Sequence, residues 1–380
     1  MDTVKFSPND YKVNYHSEVI VFLPKEFQLF KFLYQNPSRI FTRDELLDAV
    51  WPLETPIDRT IDDHIYRVRK KIQPLAPAIL IETVRGQGYR LVIKKEPDNP
   101  LIHEKDITSH FLSLYHKYHL YGQGDALKLL EDNQTLLGFE LDLPSQMYLQ
   151  FMKGNFSWFL EKETIPFWEK CYYYLHIFSF AELDKQKCLD YFCRALSSKA
   201  LPENHRLEIT LLNRLSFLIF TKQTDEALHL LIQSKQEIHE KRLVGFLPIL
   251  ALLEGYLVLL QKDSRLMEDT MIYINQTLST YPYAREQASC TVLQGIFCFV
   301  KNDFVNGEKY VDKGFQLSHK AKYIPGILIN LQVILFFLEE FNLYGGLYTH
   351  YQEMLAKYHR EYKLTDLKTK IEFQLKSHFQ

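Results

Sequence analysis

Between residues 188 and 347 the chain returns to one pattern about every forty residues. Small or apolar side chains at Cys188, Ala227, Met267, Gly307 and Leu347 open the segments "KCLDYFCRAL", "EALHLLIQS", "RLMEDTMIYI", "NGEKYVDKGF" and "GGLYTHYQEM", with steps of 39, 40, 40 and 40 residues. Each is preceded by an apolar helical stretch and a short polar turn, as in "FTKQTDEAL", "LQKDSRLME" and "VKNDFVNGE". A unit of this length is a helical hairpin, which cannot bury its apolar face alone. Stacked hairpins bury a continuous core, so the pattern predicts an all-α solenoid. "GQGDALKLLEDN" around Ala126 reads as one more such turn and helix, and from about Leu101 onward β-like alternation is scarce.

The first hundred residues obey different rules. Short segments rich in Val, Ile, Phe and Tyr, broken at "SPND" and "YHSE", predict a small antiparallel sheet. "PKEFQLFKFLYQN" then places Phe27, Phe30, Leu33 and Tyr34 on one helical face, with Pro24 suited to the first turn. Thr42 and Glu45 in "FTRDELLDAVW" form a capping box for a second helix, whose apolar side is Leu46, Leu47, Val50 and Trp51. In "RTIDDHIYRVRKKI" the residues Ile57, Ile61, Ile65, Val68 and Ile72 fall on one line at 100° per residue, a core stripe. The opposite face carries Arg59, Asp63, Tyr66, Arg67 and Lys70, flanked by Thr60, Asp62, His64 and Arg69. A solvated amphipathic helix has the same pattern. The segment C-terminal to the helix decides between the readings: "ILIETVRGQGYRLVI" alternates on both sides of two glycines, as a tight hairpin requires, with Arg85 at its tip. A basic helix leading into a β-ribbon is a helix-turn-helix with a wing. The helix fits the major groove and the tip arginine reaches the minor groove. Charge agrees, because residues 59–95 hold nine basic and three acidic side chains while the whole chain has a net charge of -2.

Residues 3–95 resemble the OmpR/PhoB-type winged helix-turn-helix effector domain, in three blocks at matching spacing: "NPSRIFTRDELLDAVW", "RTIDDHIYRVRKKI" and "IETVRGQGYRL". The resemblance implies an α+β DNA-binding domain over residues 1–96. It implies base-edge contacts from Thr60, Asp62, Arg67 and Arg69, phosphate contacts from Trp51, Arg59, His64, Thr83 and Tyr89, and Arg85 in the minor groove. The sequence departs from the family at Asp63, where an apolar residue is usual, at Tyr66, where a small or basic one is, and at Leu23, which replaces a threonine cap. Relatives commonly carry a receiver domain ahead of this module. The match begins at the third residue, so control is expected from the remainder instead.

"KKEPDNP" reads as a linker, placed at 97–100, and residues 101–380 as the helical domain. The repeats resemble the tetratricopeptide type, with a lengthened period and a weak consensus; HEAT-like pairs are the alternative. Fusion to a helix-turn-helix resembles the cytosolic peptide-pheromone receptors of low-GC Gram-positive bacteria, and fusion to an OmpR-type domain resembles some virulence and antibiotic-pathway activators. In such solenoids the first helix of each pair lines the concave surface, which would place Asn213, Arg214, Tyr256, Gln294, Asn330 and Gln332 in a groove whose side-chain amides suit a peptide backbone. Ordinary satisfied or exposed polar residues are the competing reading, and a dimerisation or protein-partner scaffold competes with sensing. The run Tyr172–Tyr174 points around half a helix and receives no role.

Other classes find little support. No H-E-x-x-H, P-loop, G-x-S-x-G or acid–base cluster is present, so no enzyme is expected; a phosphatase-type solenoid, known among peptide-receptor relatives, is the less favoured alternative. Cys171, Cys188, Cys193, Cys290 and Cys298 lack metal-ligand spacing and read as reduced thiols, so neither metal nor cofactor is expected. The first residues lack a signal-peptide pattern, and the apolar stretch "GFLPILALLEGYLVLL" is interrupted by Pro248, Glu254 and Gly255. The expectation is a cytoplasmic one-component regulator, homodimeric on double-stranded DNA, without contact to a membrane.

Overall fold

The computed structural model describes residues 4–15, 18–52, 58–75, 78–93 and 99–379. The chain divides into two compact units, Met1–Pro100 and Leu101–Gln380.

In the first unit β1 (Lys5–Ser7), β2 (Lys12–Tyr15) and β3 (Glu18–Val21) form an antiparallel sheet in that order, with Val13 facing Ile20 across the β2–β3 pair. Alternation sets its faces: Val13 and Ile20 are buried, Val19 and Val21 exposed. Helix α1 (Pro24–Gln35) starts without a hydroxyl cap. The carboxylate of Glu26 replaces it, accepting from the Leu23 N–H at 3.0 Å. Glu26 is only 1 % exposed and also accepts from Lys71 Nζ at 2.6 Å. Burial alone would raise its carboxyl, but Lys71 and the Leu23 N–H outweigh that and hold it below its ordinary value. Helix α2 (Arg43–Val50) has the expected capping box: Thr42 Oγ1 accepts from the Glu45 N–H at 3.1 Å, and Glu45 accepts from the Thr42 N–H at 2.8 Å.

Helix α3 (Asp58–Lys71) buries Ile61, Ile65 and Val68, and Ile72 just beyond it, against Phe27, Phe30, Leu33, Leu46 and Val50. Ile57 lies outside the described residues. Burying each of these aliphatic chains contributes about 1.5–3 kcal/mol, so a charge at Ile65 would undo the stripe that orients the polar face. β4 (Ile79–Val84) and β5 (Gly88–Ile93) form the hairpin, with Val84 opposite Gly88. Gly86 adopts φ +73° and Gly88 φ +129°. Gly88 is needed twice over, since a Cβ there would meet the Phe41 carbonyl oxygen at 1.9 Å. Phe41 and Tyr89 exchange two backbone hydrogen bonds at 2.9 Å, tying the segment before α2 to the wing.

The second unit is all helix: α4 (Lys105–Leu120), α5 (Gly124–Asp132), α6 (Gln134–Leu137), α7 (Leu143–Met152), α8 (Trp158–Glu161), α9 (Phe167–Ala181), α10 (Lys185–Ala195), α11 (Glu203–Glu208), α12 (Arg214–Phe220), α13 (Thr224–Glu240), α14 (Leu247–Leu260), α15 (Ser264–Thr280), α16 (Ala284–Val300), α17 (Phe304–Lys320), α18 (Ile324–Glu340), α19 (Gly346–Glu361) and α20 (Leu364–His378). The forty-residue period appears in the backbone. Lys222, Lys262, Asn302 and Asn342, one at each turn inside a hairpin, all take φ between +55° and +61°. A left-handed residue just after a helix allows the next helix to turn back antiparallel. Gly122, φ +65°, serves the α4–α5 hairpin in the same way.

The superhelix closes on itself. Helix α20 packs along α9, with Lys187 and Lys368 bridging Glu372 and Glu182 at 2.9 and 3.0 Å. The first helices of successive hairpins meet inside: Phe220 of α12 stands 5.1 Å from Phe336 of α18, and Tyr256 of α14 stands 6.0 Å from Phe337. Helices α4 to α7 cover the opposite end. There Ala284 N–H donates to the Tyr121 carbonyl at 3.1 Å, and a Cβ on Gly124 would meet the Ala321 carbonyl oxygen at 2.2 Å.

Candidate nucleic-acid interface

Helix α3 turns its apolar stripe inward, which leaves Asp63, Tyr66, Arg67 and Lys70 exposed; Tyr66 shows 68 % of its surface. Thr60 and His64 are half-buried at the edge of this face, and the His64 ring is braced, with Nδ1 2.8 Å from the Thr60 carbonyl and its edge 5.0 Å from the Trp51 ring. Trp51 itself is 4 % exposed and lies beneath Lys25 Nζ. Arg85 is exposed at the hairpin tip, where the Gln87 N–H donates to the Val84 carbonyl at 2.9 Å. The side chain of Arg59 lies outside the described residues.

Two side chains expected at base edges are engaged within the domain. Asp62 accepts from Arg43 Nε at 2.8 Å, from Arg43 Nη2 at 3.3 Å and from the Tyr89 hydroxyl at 2.6 Å. Those bonds hold its carboxyl below the ordinary value, raise the Arg43 guanidinium, and add to the effect of burial in raising the Tyr89 phenol. Arg69 donates from Nε to the Ile81 carbonyl at 2.9 Å and from Nη2 to Thr83 Oγ1 at 2.8 Å, and lies over the Tyr89 ring. Asp62, Arg69, Tyr89 and Thr83 together fasten the recognition face to the wing. Arg43 is the residue the sequence reasoning missed; a basic residue directly after a capping threonine looks like ordinary helix decoration.

The residues expected to form a groove in the helical unit do not line one open surface. Tyr256 and Asn330 are buried at 7 % and 0 % exposure. Gln332 donates to the carbonyls of Ser179 and Phe180 at 3.2 and 2.8 Å, so the chain's own α9 occupies the place expected for a peptide. Asn213, Arg214 and Gln294 are half-buried. Among the described residues no helix is long and apolar enough to cross a membrane, and no group of His, Cys, Asp or Glu could hold a metal ion. Cys171, Cys188 and Cys290 are buried free thiols; Cys193 and Cys298 are half-buried and free.

A three-helix core behind an N-terminal sheet, closed by a C-terminal hairpin beside an exposed basic helix, defines a winged-helix DNA-binding domain. Residues 17–91 match the family model "Transcriptional regulatory protein, C terminal", and this segment is a winged helix of OmpR/PhoB type. Similar proteins include the heme response regulator HssR of Staphylococcus epidermidis, 47% identical over 68 residues, which are 18% of this chain and 30% of that protein. The phosphate regulon transcriptional regulatory protein PhoB of Escherichia coli is 36% identical over 91 residues, 24% of this chain and 40% of that one. The chain thus spans well under half of the length of these relatives. Among solved structures, the DNA-binding domain of the response regulator AdeR is 26% identical, with 25% of this chain and 98% of that chain covered at a TM-score of 0.23.

Proposed function

We propose that the protein is a sequence-specific transcription regulator whose α3 enters the major groove and whose wing tip Arg85 enters the minor groove. The observation that carries the reading is the exposed face of α3. Arg67, Tyr66, Asp63 and Lys70 stand clear of the domain, while Asp62 and Arg69 are committed to holding that face against the wing. Arg67 is the base reader, able to bond guanine O6 and N7 as a fork. Thr60 supports it from the edge of the face. Asp62 and Arg69 act first as positioning residues and reach bases only by exchanging their present partners. Trp51, Arg59, His64, Thr83 and Tyr89 mark the phosphate-facing rim.

The helical unit sets the activity of this module, by binding a ligand or by pairing chains. One winged helix buries only about 600–1,000 Å² on DNA, too little for tight selective binding at physiological salt without a second copy nearby. Two chains held together raise affinity through effective concentration, and half-sites one helical turn apart bring both domains to one side of the duplex. Selection of duplexes from a random pool by the full chain, with footprinting of the enriched sequences, tests this. The expected result is an enriched pair of half-sites and a loss of discrimination at one position per half-site in Arg67→Ala. A pool that fails to enrich, or an Arg67→Ala chain that weakens all sequences equally, would overturn it.

A further inference from the structure

Helices α4 to α7 build a small core of their own around Leu127, Phe139, Leu149 and Met152, distinct from the main core of the helical unit, against which Ile324 packs. Where the two cores meet, α5, the end of α7 and the α17–α18 turn border a cleft of about 410 Å³. Its floor is Leu127, Leu149 and Met152, each no more than 3 % exposed, with Ile324 beside them. Its rim carries the exposed Lys128, Lys153 and Lys322, and among the described residues no carboxylate lines it. The cleft is not slack packing, because the seam around it is tight. The start of α5 is pressed so closely on the α17–α18 turn that a Cβ on Gly124 would collide with the Ala321 carbonyl. Gly154, at φ +77°, passes as closely against the Tyr362 ring and lies next to Ile324.

Each rim lysine is held from outside the cleft: Lys322 by Asp125 at 2.6 Å, Lys153 by Glu131, and Lys128 more loosely by Asp132 at 4.0 Å. An ammonium has three donors, so a single such pair leaves it able to take a second acceptor. The pairing also fixes where the charge sits, which lowers the ordering cost of binding. Asp125 feels all of this neighbourhood: its carboxyl is held below the ordinary value by the hydrogen bond from Lys322 first, then by the charges of Lys322, Lys320 and Lys128. The floor is almost fully buried, so the apolar wall comes mainly from the lysine stems and Ile324, as long cationic side chains commonly provide. The volume lies in the range of small-molecule sites. A bare inorganic anion would use the rim and leave the floor wet. A neutral apolar molecule would cover the floor and gain nothing from the ammoniums. A small molecule with one anionic end and an apolar body uses both.

We propose that this cleft binds a small organic acid, a carboxylate on a short alkyl or aryl body, with the carboxylate at the lysine rim and the body against the stems and the floor. Such a ligand joins α5 and α7 to α18 and so bears on the α4–α5 hairpin, which follows the unit boundary at Pro100 and Leu101. That last step rests on the reading of the helical unit as the part that sets DNA binding, so the test reads ligand binding without DNA first. Ligand-observed NMR and calorimetry on the full chain use octanoate, benzoate, phenylacetate and indole-3-acetate, each beside its primary amide, with inorganic phosphate as the bare anion. The expected result is at least one carboxylate that binds about tenfold or more tightly than its amide and than phosphate. Lys153→Gln and Lys322→Gln, both at exposed positions, should fold and each weaken that compound by about three- to tenfold, as expected for one partly solvated charged partner. Lys301→Gln removes an ion-paired lysine that does not line the cleft and should leave binding unchanged. No carboxylate preferred over its amide, phosphate binding as tightly, or an equal loss in Lys301→Gln would overturn the site and leave the winged helix untouched. A carboxylate that binds at the lysine rim but leaves affinity for the selected duplex unchanged would uphold the site and remove the sensing role.

Discussion

Replacing Asp62 by alanine separates a base reader from a positioning residue. In the structure the Asp62 carboxylate takes three hydrogen bonds, two from Arg43 and one from Tyr89. The Arg43 and Asp62 side chains are 37% and 44% exposed, so solvent screens the ion pair and its share is about 0.2–1 kcal/mol. The Tyr89 phenol is better buried, and its bond to a charged acceptor adds about 1 kcal/mol after the same discount. Together the loss is roughly 1–2 kcal/mol, or roughly 5- to 30-fold in the local opening equilibrium. Hydrogen exchange on the full chain reads this at the wing strands Ile79–Val84 and Gly88–Ile93 without requiring the two units to unfold together. Adding Arg43→Ala should increase the loss by less than its own single effect, because both changes remove the same pair. The Asp62 carboxyl is held below its ordinary value of 3.8, so its contribution is complete above that pH and is lost as pH falls through the lowered value. Unchanged wing exchange in Asp62→Ala, combined with lost discrimination at a single base pair, would make Asp62 a base reader and refute the reasoning.

Four further outcomes are expected from the same structure. Arg67→Ala should cost about 1–3 kcal/mol on the selected duplex and relax preference at one base pair, read by titration against singly substituted sites. About five phosphate contacts per domain should give a slope of log affinity against log salt near -4 to -5 per bound domain, and Arg85→Ala should lower its magnitude by about one. Gly88→Ala should release the wing, because its Cβ would meet the Phe41 carbonyl oxygen at 1.9 Å; faster exchange at the Phe41 and Tyr89 amides is the check. In the helical unit, burial pushes His176 down to about 3 and His205 down to about 4. The unfolded chain therefore takes up protons first, so stability is complete above about 6.5 and falls as pH drops from there toward those values; His205→Gln should remove about one proton from the slope of unfolding free energy against pH.

What could be read in the sequence was local, and what could not was the contact between distant segments. The stripe Ile61, Ile65, Val68 and Ile72 oriented α3 by periodicity alone, and the Thr42–Glu45 box marked where α2 starts. The two glycines of "RGQG" announced the hairpin because only positive φ closes it so tightly. The same periodicity placed Asp62 and Arg69 on the polar face of α3 and could say no more. Whether a polar side chain faces DNA or its own wing depends on where residues 81–89 fold back, and helical spacing carries no trace of that. In the repeats the forty-residue ruler gave hairpins and turns, since each repeat contacts mainly its neighbours. It also suggested an open concave groove, and there it failed: Gln332 bonds carbonyls some 150 residues earlier, at Ser179 and Phe180. Closure is decided by how many repeats accumulate before the chain meets its own α9, a sum over small rotations that no single repeat displays.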